Sequence, residues 1–240
     1  GLKLANAQIN ATVDGLDLGI TQLGPSTVSL VLEDGIFQAQ VDETSVYRGA
    51  ARGRMLIDGR NDVPALSAQL QASAVQAGDI LRDFMGIEFL QGSSQTTINL
   101  TTRGQTMQAW MANMNGNVST ELSPSSFQGW DIPRLIEGLK GGNLLQSSTA
   151  NFFIGQQFAT VMERLAATGT IENGVLRHED FFARTPALTI QGGGLIDLAG
   201  QQLDYGLAIN VDDGGLLVPV RIAGSGGSPE LTTAGPARGG

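Results

Sequence analysis

The residue types that do chemistry are sparse in this chain and badly spaced for it. His178 is the single histidine, and there is no cysteine. A Ser-His-Asp nucleophilic arrangement would have to use His178, with a serine on a sharp strand-to-helix turn. Instead His178 stands between Arg177 and Glu179 in what reads as a hairpin arm, and is expected to be a solvated strand residue. The run Gly192-Gly193-Gly194 matches neither the dinucleotide fingerprint nor the P-loop pattern. Glycine inside a strand marks a bulge, a bend or a close approach. Asp14, Asp34, Asp58, Asp212 and Asp213 stand at turns rather than paired for acid–base work. The alternating Asp/Asn series of a calcium loop is missing. Without cysteine, thiolate metal sites and disulfides are excluded. The expectation is a protein that is not an enzyme, with no cofactor and no metal.

One further cluster could serve a ligand. Met107, Trp110, Met111 and Met114 recur at helical spacing and form one face of an amphipathic helix. Ordinary packing on a sheet is the first expectation for that face. The alternative is an adaptable surface that touches lipid chains or lids a groove, to which flexible, polarizable methionine is suited.

Charge removes other classes. The formal net charge is −9, against the basic footprint that nucleic-acid binding needs. No Lys/Arg-rich run is present for anionic headgroups. Charged residues make up only 15%, where about a quarter is usual; Gln, Asn, Ser and Thr supply the polar positions. No apolar run is long enough to span a bilayer. The start at Gly1-Leu2-Lys3, without Met, is expected to mark a fragment of a longer chain.

The elements that would position any site are alternating strands. Leu188, Ile190, Gly192, Gly194, Ile196 and Leu198 share one phase. Leu203, Tyr205, Leu207, Ile209 and Val211 form the next apolar row, and Leu216, Val218, Val220 and Ile222 a third. Such alternation means antiparallel strands with one dry and one wet face. Asp34-Gly35 and Asn173-Gly174 are two-residue hairpin signals. Earlier rows include Ala5 to Val13, Val28 to Leu32, Phe37 to Val41, a strand from Tyr47-Arg48-Gly49 through Ile57, and Leu66 to Ala72. The middle changes period. Ile80, Leu81 and Phe84 predict a short helix closed by Gly86. A second follows over 107–114, ended by Gly116. A third has Asp131 as N-cap, Pro133 in its first turn and Gly141-Gly142 after it. Phe158, Val161, Met162 and Leu165 also fit a helix.

The chain also repeats itself. Leu32 to Ile36 matches Ile171 to Val175, and Leu56 to Asp58 matches Leu195 to Asp197, each with an offset of 139, which places Leu66 on Tyr205. A fold of one β-groove domain over 1–224 is expected, with β-units at 1–74 and 166–224, a helix-containing insert at 75–165, and a flexible Gly/Pro-rich tail at 225–240.

The order of motifs over 158–231 resembles the C-terminal region of AsmA-like proteins of the Gram-negative envelope. The residues that carry it are Ile171 to Leu176 around Asn173-Gly174, Asp180-Phe181, Thr185-Pro186 and Gly192-x-Gly194-x-Ile196-Asp197-Leu198. Leu203-Asp204-Tyr205, Val218-Pro219-Val220-Arg221-Ile222-x-Gly224 and Pro229 follow. The likeness continues more weakly back to residue 1. It implies a mainly β fold, a curved antiparallel sheet forming a taco-like hydrophobic groove with a few short helices. It also implies a periplasmic location as part of a longer chain anchored in the inner membrane. The implied role is non-enzymatic lipid binding or conduction, moving phospholipid between inner and outer membrane. The implied partners are phospholipid acyl chains, the membranes at the ends of the full-length protein, and envelope proteins. The expected lining is Phe37, Val41, Met55, Ile57 and Leu70 in the first copy. In the second it is Ile190, Ile196, Leu198, Leu203, Tyr205, Leu207, Ile209, Val218, Val220 and Ile222. The rows Leu203–Val211 and Val218–Ile222 are expected to be the most open, because no helix follows them in sequence. The competing readings are an envelope scaffold whose face is filled by its own helices, and a secreted β-solenoid or adhesin segment, which would need shorter repeats.

Overall fold

A computed structural model places residues 6–17, 22–140, 154–211, 215–233 and 237–238. The chain is mainly β. Its first part gives β1 (Ala7–Val13), the short pair β2 (Leu16–Asp17) and β3 (Gln22–Leu23), β4 (Ser26–Glu33), β5 (Ile36–Val46), β6 (Gly49–Asp58) and β7 (Ala65–Gln76). The middle gives α1 (Ala77–Met85), β8 (Leu90–Arg103), α2 (Met107–Ala112), β9 (Asn115–Trp130), α3 (Ile132–Lys140) and β10 (Ile154–Met162). Then come β11 (Arg164–Glu172), β12 (Val175–Arg184), β13 (Leu188–Asp197), β14 (Gln202–Val211), β15 (Leu216–Ser225), β16 (Ser228–Thr233) and β17 (Ala237–Arg238). The described helices all lie between 75 and 165, and 188–211 and 215–225 are strand and turn, as period-two alternation requires.

The described residues pack as two compact units, neither contiguous in sequence. Unit 1 takes its residues from 1–76, 94–120 and 169–176; unit 2 takes 77–93, 121–168 and 177–240. Unit 1 has the strand order β1-β4-β5-β6-β7-β8-β9 plus the adjoining ends of β11 and β12. Unit 2 runs through β11-β12-β13-β14-β15-β16, with β10 on β9 and β17 on β15. The long strands β8, β9, β11 and β12 each pass from one unit into the other. The chain changes unit at 76/77, 93/94, 120/121, 168/169 and 176/177. The middle holds the three described helices, strung between long strands.

The two hairpin signals act as their chemistry demands. Asp34 and Gly35 turn β4 into β5 with φ of 48° and 81°, and Asn173 and Gly174 turn β11 into β12 with φ of 49° and 77°. Both are tips with positive φ at both central residues, the geometry whose twist matches the flanking strands. A third such tip uses Tyr47 (φ 46°) and Arg48 (φ 64°), so the next strand begins at Gly49, not at Tyr47. A side chain on Gly49 would run into Ala74 and the Val75 backbone nitrogen of β7. Glycine is needed one position later, and the turn falls on residues poorly suited to it.

Helix ends follow the expected chemistry at α1 and α3. Gly86 (φ 66°) closes α1, with its N–H on the Arg82 carbonyl and that of Ile87 on Leu81. The Asp131 carboxylate accepts from the Arg134 N–H at the start of α3. α2 is shorter than its pattern: it starts at a Thr106 cap and ends at Asn113, while Gly116 is already in β9. The helical reading of 158–165 is wrong. Met162 and Leu165 are buried, Val161 and Arg164 are exposed, and the segment is β10 and β11 with Glu163 between them. Spacings of three and four also arise when a strand reverses through a tight turn. The tail likewise contains structure, since Gly226-Gly227 turns β15 into β16, which pairs from Ser225↔Ser228 to Val220↔Thr233.

The internal repeat is visible in the ladders, with one revision. The offset of 139 relates β4, β5 and β6 to β11, β12 and β13. In the next strand it falls to 137, because Ile57 pairs with Leu66 whereas Ile196 pairs with Leu203. Leu66 therefore corresponds to Leu203, not Tyr205, and Leu70 to Leu207. The connection 198–201 is two residues shorter than 59–64. An even deletion leaves every side chain on its original face, which is why the sequence pattern survives it.

Candidate functional site: two apolar sheet faces

The ladders of unit 1 bring the expected lining together on one face. Leu32, Phe37, Ile57 and Leu66 form one cross-strand row; Leu30, Ala39, Met55 and Ala68 the next; Val28, Val41, Gly53 and Leu70 a third. All five predicted residues, Phe37, Val41, Met55, Ile57 and Leu70, lie in these rows. Phe37, Val41, Met55 and Ile57 are only half-buried, and Leu70 is 40% exposed. Side chains so placed are walled in by their neighbours within the sheet and still reached by solvent. Nonpolar surface left this way is a standing free-energy cost of about 25 cal/mol per Å².

The ladders of unit 2 also align their rows, and here the outcome is opposite. Ile190, Ile209 and Val218 form one row; Gly192, Leu207 and Val220 the next; Gly194, Tyr205 and Ile222 a third; Ile196 and Leu203 a fourth. Ile190, Ile196, Leu198, Leu203, Leu207, Ile209, Val218, Val220 and Ile222 are all between 0% and 8% exposed. The expectation that Leu203–Val211 and Val218–Ile222 would be the most open rows fails. They are the core of unit 2. Residues far upstream in sequence belong to the same packed unit. Ala77 of α1, Ile87 after it, Ile132 and Ile136 of α3, and Phe127 and Trp130 of β9 are buried in the same unit. The segment after α1 reaches the turns of the sheet: a Cβ built on Gly226 would lie 2.6 Å from the Met85 carbonyl oxygen and 3.1 Å from Ile87 Cγ1. Phe89, Phe127 and Trp130 stack with centroids 5.1–6.2 Å apart.

Within that core sits the histidine. His178 is 7% exposed, not solvated as its sequence neighbours imply. Its Nδ1 lies 3.0 Å from the Thr168 carbonyl oxygen, which can only accept, so Nδ1 carries the proton. Burial pushes the imidazole below its ordinary value of 6.5, opposed by that hydrogen bond and by nearby Asp180. Burial also works against the Asp180 carboxylate, but its hydrogen bonds from the Thr168 N–H (2.7 Å) and hydroxyl (2.6 Å) hold it net low. The Tyr205 ring, 6.0 Å from His178 and 6.0 Å from Phe181, is pushed upward in pKa by burial. The glycine run explains this packing: a Cβ on Gly194 would lie 2.5 Å from Tyr205 Cγ, so the ring occupies the space glycine leaves. His178 is a core residue. Among the described residues, no group of three or more His, Cys, Asp or Glu is placed to hold a metal ion.

α2 is not core. None of its residues is buried, and Met107 is 64% exposed. It serves as the β8–β9 connection, with Trp110 Nε1 donating to the Gly104 carbonyl (2.8 Å) and the Thr102 hydroxyl donating to Trp110 O (2.6 Å).

Antiparallel strands carrying continuous apolar rows, half-buried at Phe37, Val41, Met55 and Ile57 in unit 1 and buried in unit 2, define a mainly β protein. A sequence model of the AsmA family matches residues 2–181, and the chain belongs to that family. The later motifs of the resemblance, from Thr185-Pro186 onward, lie beyond the matched span. No curated protein and no solved structure matches the chain. No helix among the described residues is long and apolar enough to cross a membrane.

Proposed function

We propose that this chain is a non-enzymatic lipid-binding segment of an AsmA family protein of the cell envelope, and that acyl chains lie on the apolar face of unit 1. The observation that carries the reading is the half-exposed state of Phe37, Val41, Met55 and Ile57 and the 40% exposure of Leu70. Chemistry specific to one lipid is not required. Each methylene moved from water onto the face contributes about 0.8 kcal/mol, and headgroups remain at the wet margin. Family membership supports a role in phospholipid movement between inner and outer membrane, in a periplasmic setting within a longer, membrane-anchored chain.

The scaffold reading is favoured for unit 2 by its sealed rows, 0–8% exposed. In this account unit 2 is a self-filled structural module and unit 1 carries the ligand. The test is mass spectrometry of the protein purified in mild detergent. Co-purifying phospholipid, lost when Leu70 and Met55 are both replaced by Asp, supports the proposal. Protein free of lipid in every preparation leaves the scaffold reading for the whole chain.

A further inference from the structure

A hollow of unit 1 is lined chiefly by the polar phase of its strands, with Ala39, Met55 and Ala68 of one apolar row also bordering it. It encloses about 660 Å³ across β4 to β9. A second hollow of about 450 Å³ shares Leu56, Ser67, Thr101 and Asn115 with it. Ligand sites commonly span about 300–1,000 Å³.

Two adjacent cross-strand rows make its floor. One is Ser29, Gln40, Arg54 and Gln69, entirely polar; the next is Val31, Gln38, Leu56 and Ser67, with two aliphatic side chains among polar ones. Val31 and Leu56 break the polar phase of strands whose opposite face already carries the apolar rows, so burial in the core does not account for them. Asn99 and Asn117 complete the wall, joined by a 3.1 Å amide–amide hydrogen bond. Arg54 is the single charged residue of the larger hollow. Its Nε donates to Gln69 Oε1 at 2.9 Å, and its terminal nitrogens have no partner among the described residues. Neighbouring Arg52, outside the hollow, spends both Nε and Nη2 on Gln71 Oε1.

We propose that this trough binds a carbohydrate chain. Amides carry donors and acceptors together, which suits hydroxyls that do both. Aliphatic side chains one row away suit the C–H faces of sugar rings. A site with one guanidinium and no cluster of basic residues does not suit a polyanion. Period-two alternation points the side chains of these two rows away from the apolar rows.

The experiment is titration of the isotopically labelled full chain with chitotetraose and, separately, maltotetraose up to about 10 mM, high enough to detect millimolar binding. Side-chain amide resonances of Gln38, Gln40, Gln69 and Asn99 should shift with at least one tetramer. Arg54→Ala and Gln69→Ala should each weaken the binding at least about tenfold, whereas Arg52→Ala should leave it unchanged and all three should retain wild-type lipid content. The proposal is overturned if neither tetramer moves those resonances. It is also overturned if inorganic phosphate moves them and displaces the sugar, which would make Arg54 a simple anion contact, or if the shifts survive Arg54→Ala and Gln69→Ala.

Discussion

Leu70 and Leu207 occupy corresponding positions in the two copies, opposite Gly53 and Gly192 respectively. One is 40% exposed and the other 8%, so replacing each by Asp asks the same question of an open and a sealed face. At Leu207 the change forfeits about 1.5–3 kcal/mol of side-chain burial and adds several kcal/mol for an unpaired buried carboxylate. The sum approaches the whole stability of a typical domain, about 5–15 kcal/mol. At Leu70 the carboxylate reaches water, and only part of the burial term is lost, about 1 kcal/mol. Each unit holds one tryptophan, Trp110 in unit 1 and Trp130 in unit 2. Single-tryptophan versions, made with Trp→Phe at the other site, report urea unfolding of each unit. Leu207→Asp should unfold the Trp130 unit at low urea or without any. Leu70→Asp should shift the Trp110 transition slightly and keep its slope. Equal midpoint losses at the two sites would refute the distinction between an open and a sealed face.

Four other outcomes follow from the same geometry. The unfolded chain takes up a proton at His178 near its ordinary 6.5 while burial keeps the folded imidazole neutral. Stability measured by urea titration should therefore decline as pH falls through 6.5, and His178→Gln should remove that part of the slope. Asn173→Ala places an alanine at φ 49° and should lower stability by about 1–2 kcal/mol, read as a shift in denaturation midpoint. Gly194→Ala drives a methyl into the Tyr205 ring and should cost about 1–3 kcal/mol, with a change in tyrosine near-ultraviolet dichroism. Glu121→Gln removes the exposed pair with Arg164 (2.8 Å) and should leave the thermal midpoint unmoved.

Strand structure was legible in the sequence because period two survives even where the repeat loses two residues, as between Leu70 and Leu207. The hairpin tips were legible because Asp34-Gly35 and Asn173-Gly174 bring the residues that tolerate positive φ. The tip at Tyr47-Arg48 was not, since Gly49 is claimed by the close approach of β7. His178 was misread because Arg177 and Glu179 beside it are exposed, and alternation, not neighbourhood, decides the face. Which apolar face would be covered was illegible for a different reason. Residues packed in one unit need not be near in sequence, and Ala77 and Ile136 are buried in the unit of strands that come long after them. The polar trough left one trace that could have been found. Val31 and Leu56 make the runs Leu30-Val31-Leu32 and Met55-Leu56-Ile57 apolar in both phases, where a face that merely meets water would alternate.

The most direct measurement of the central claim is photo-crosslinking to phospholipid in cells, with p-benzoylphenylalanine placed singly at Leu70, Met55, Leu207 and Val220. The account predicts lipid adducts from Leu70 and Met55 and none from Leu207 or Val220. Adducts confined to Leu207 and Val220, or none at Leu70 and Met55 in folded protein, would contradict it.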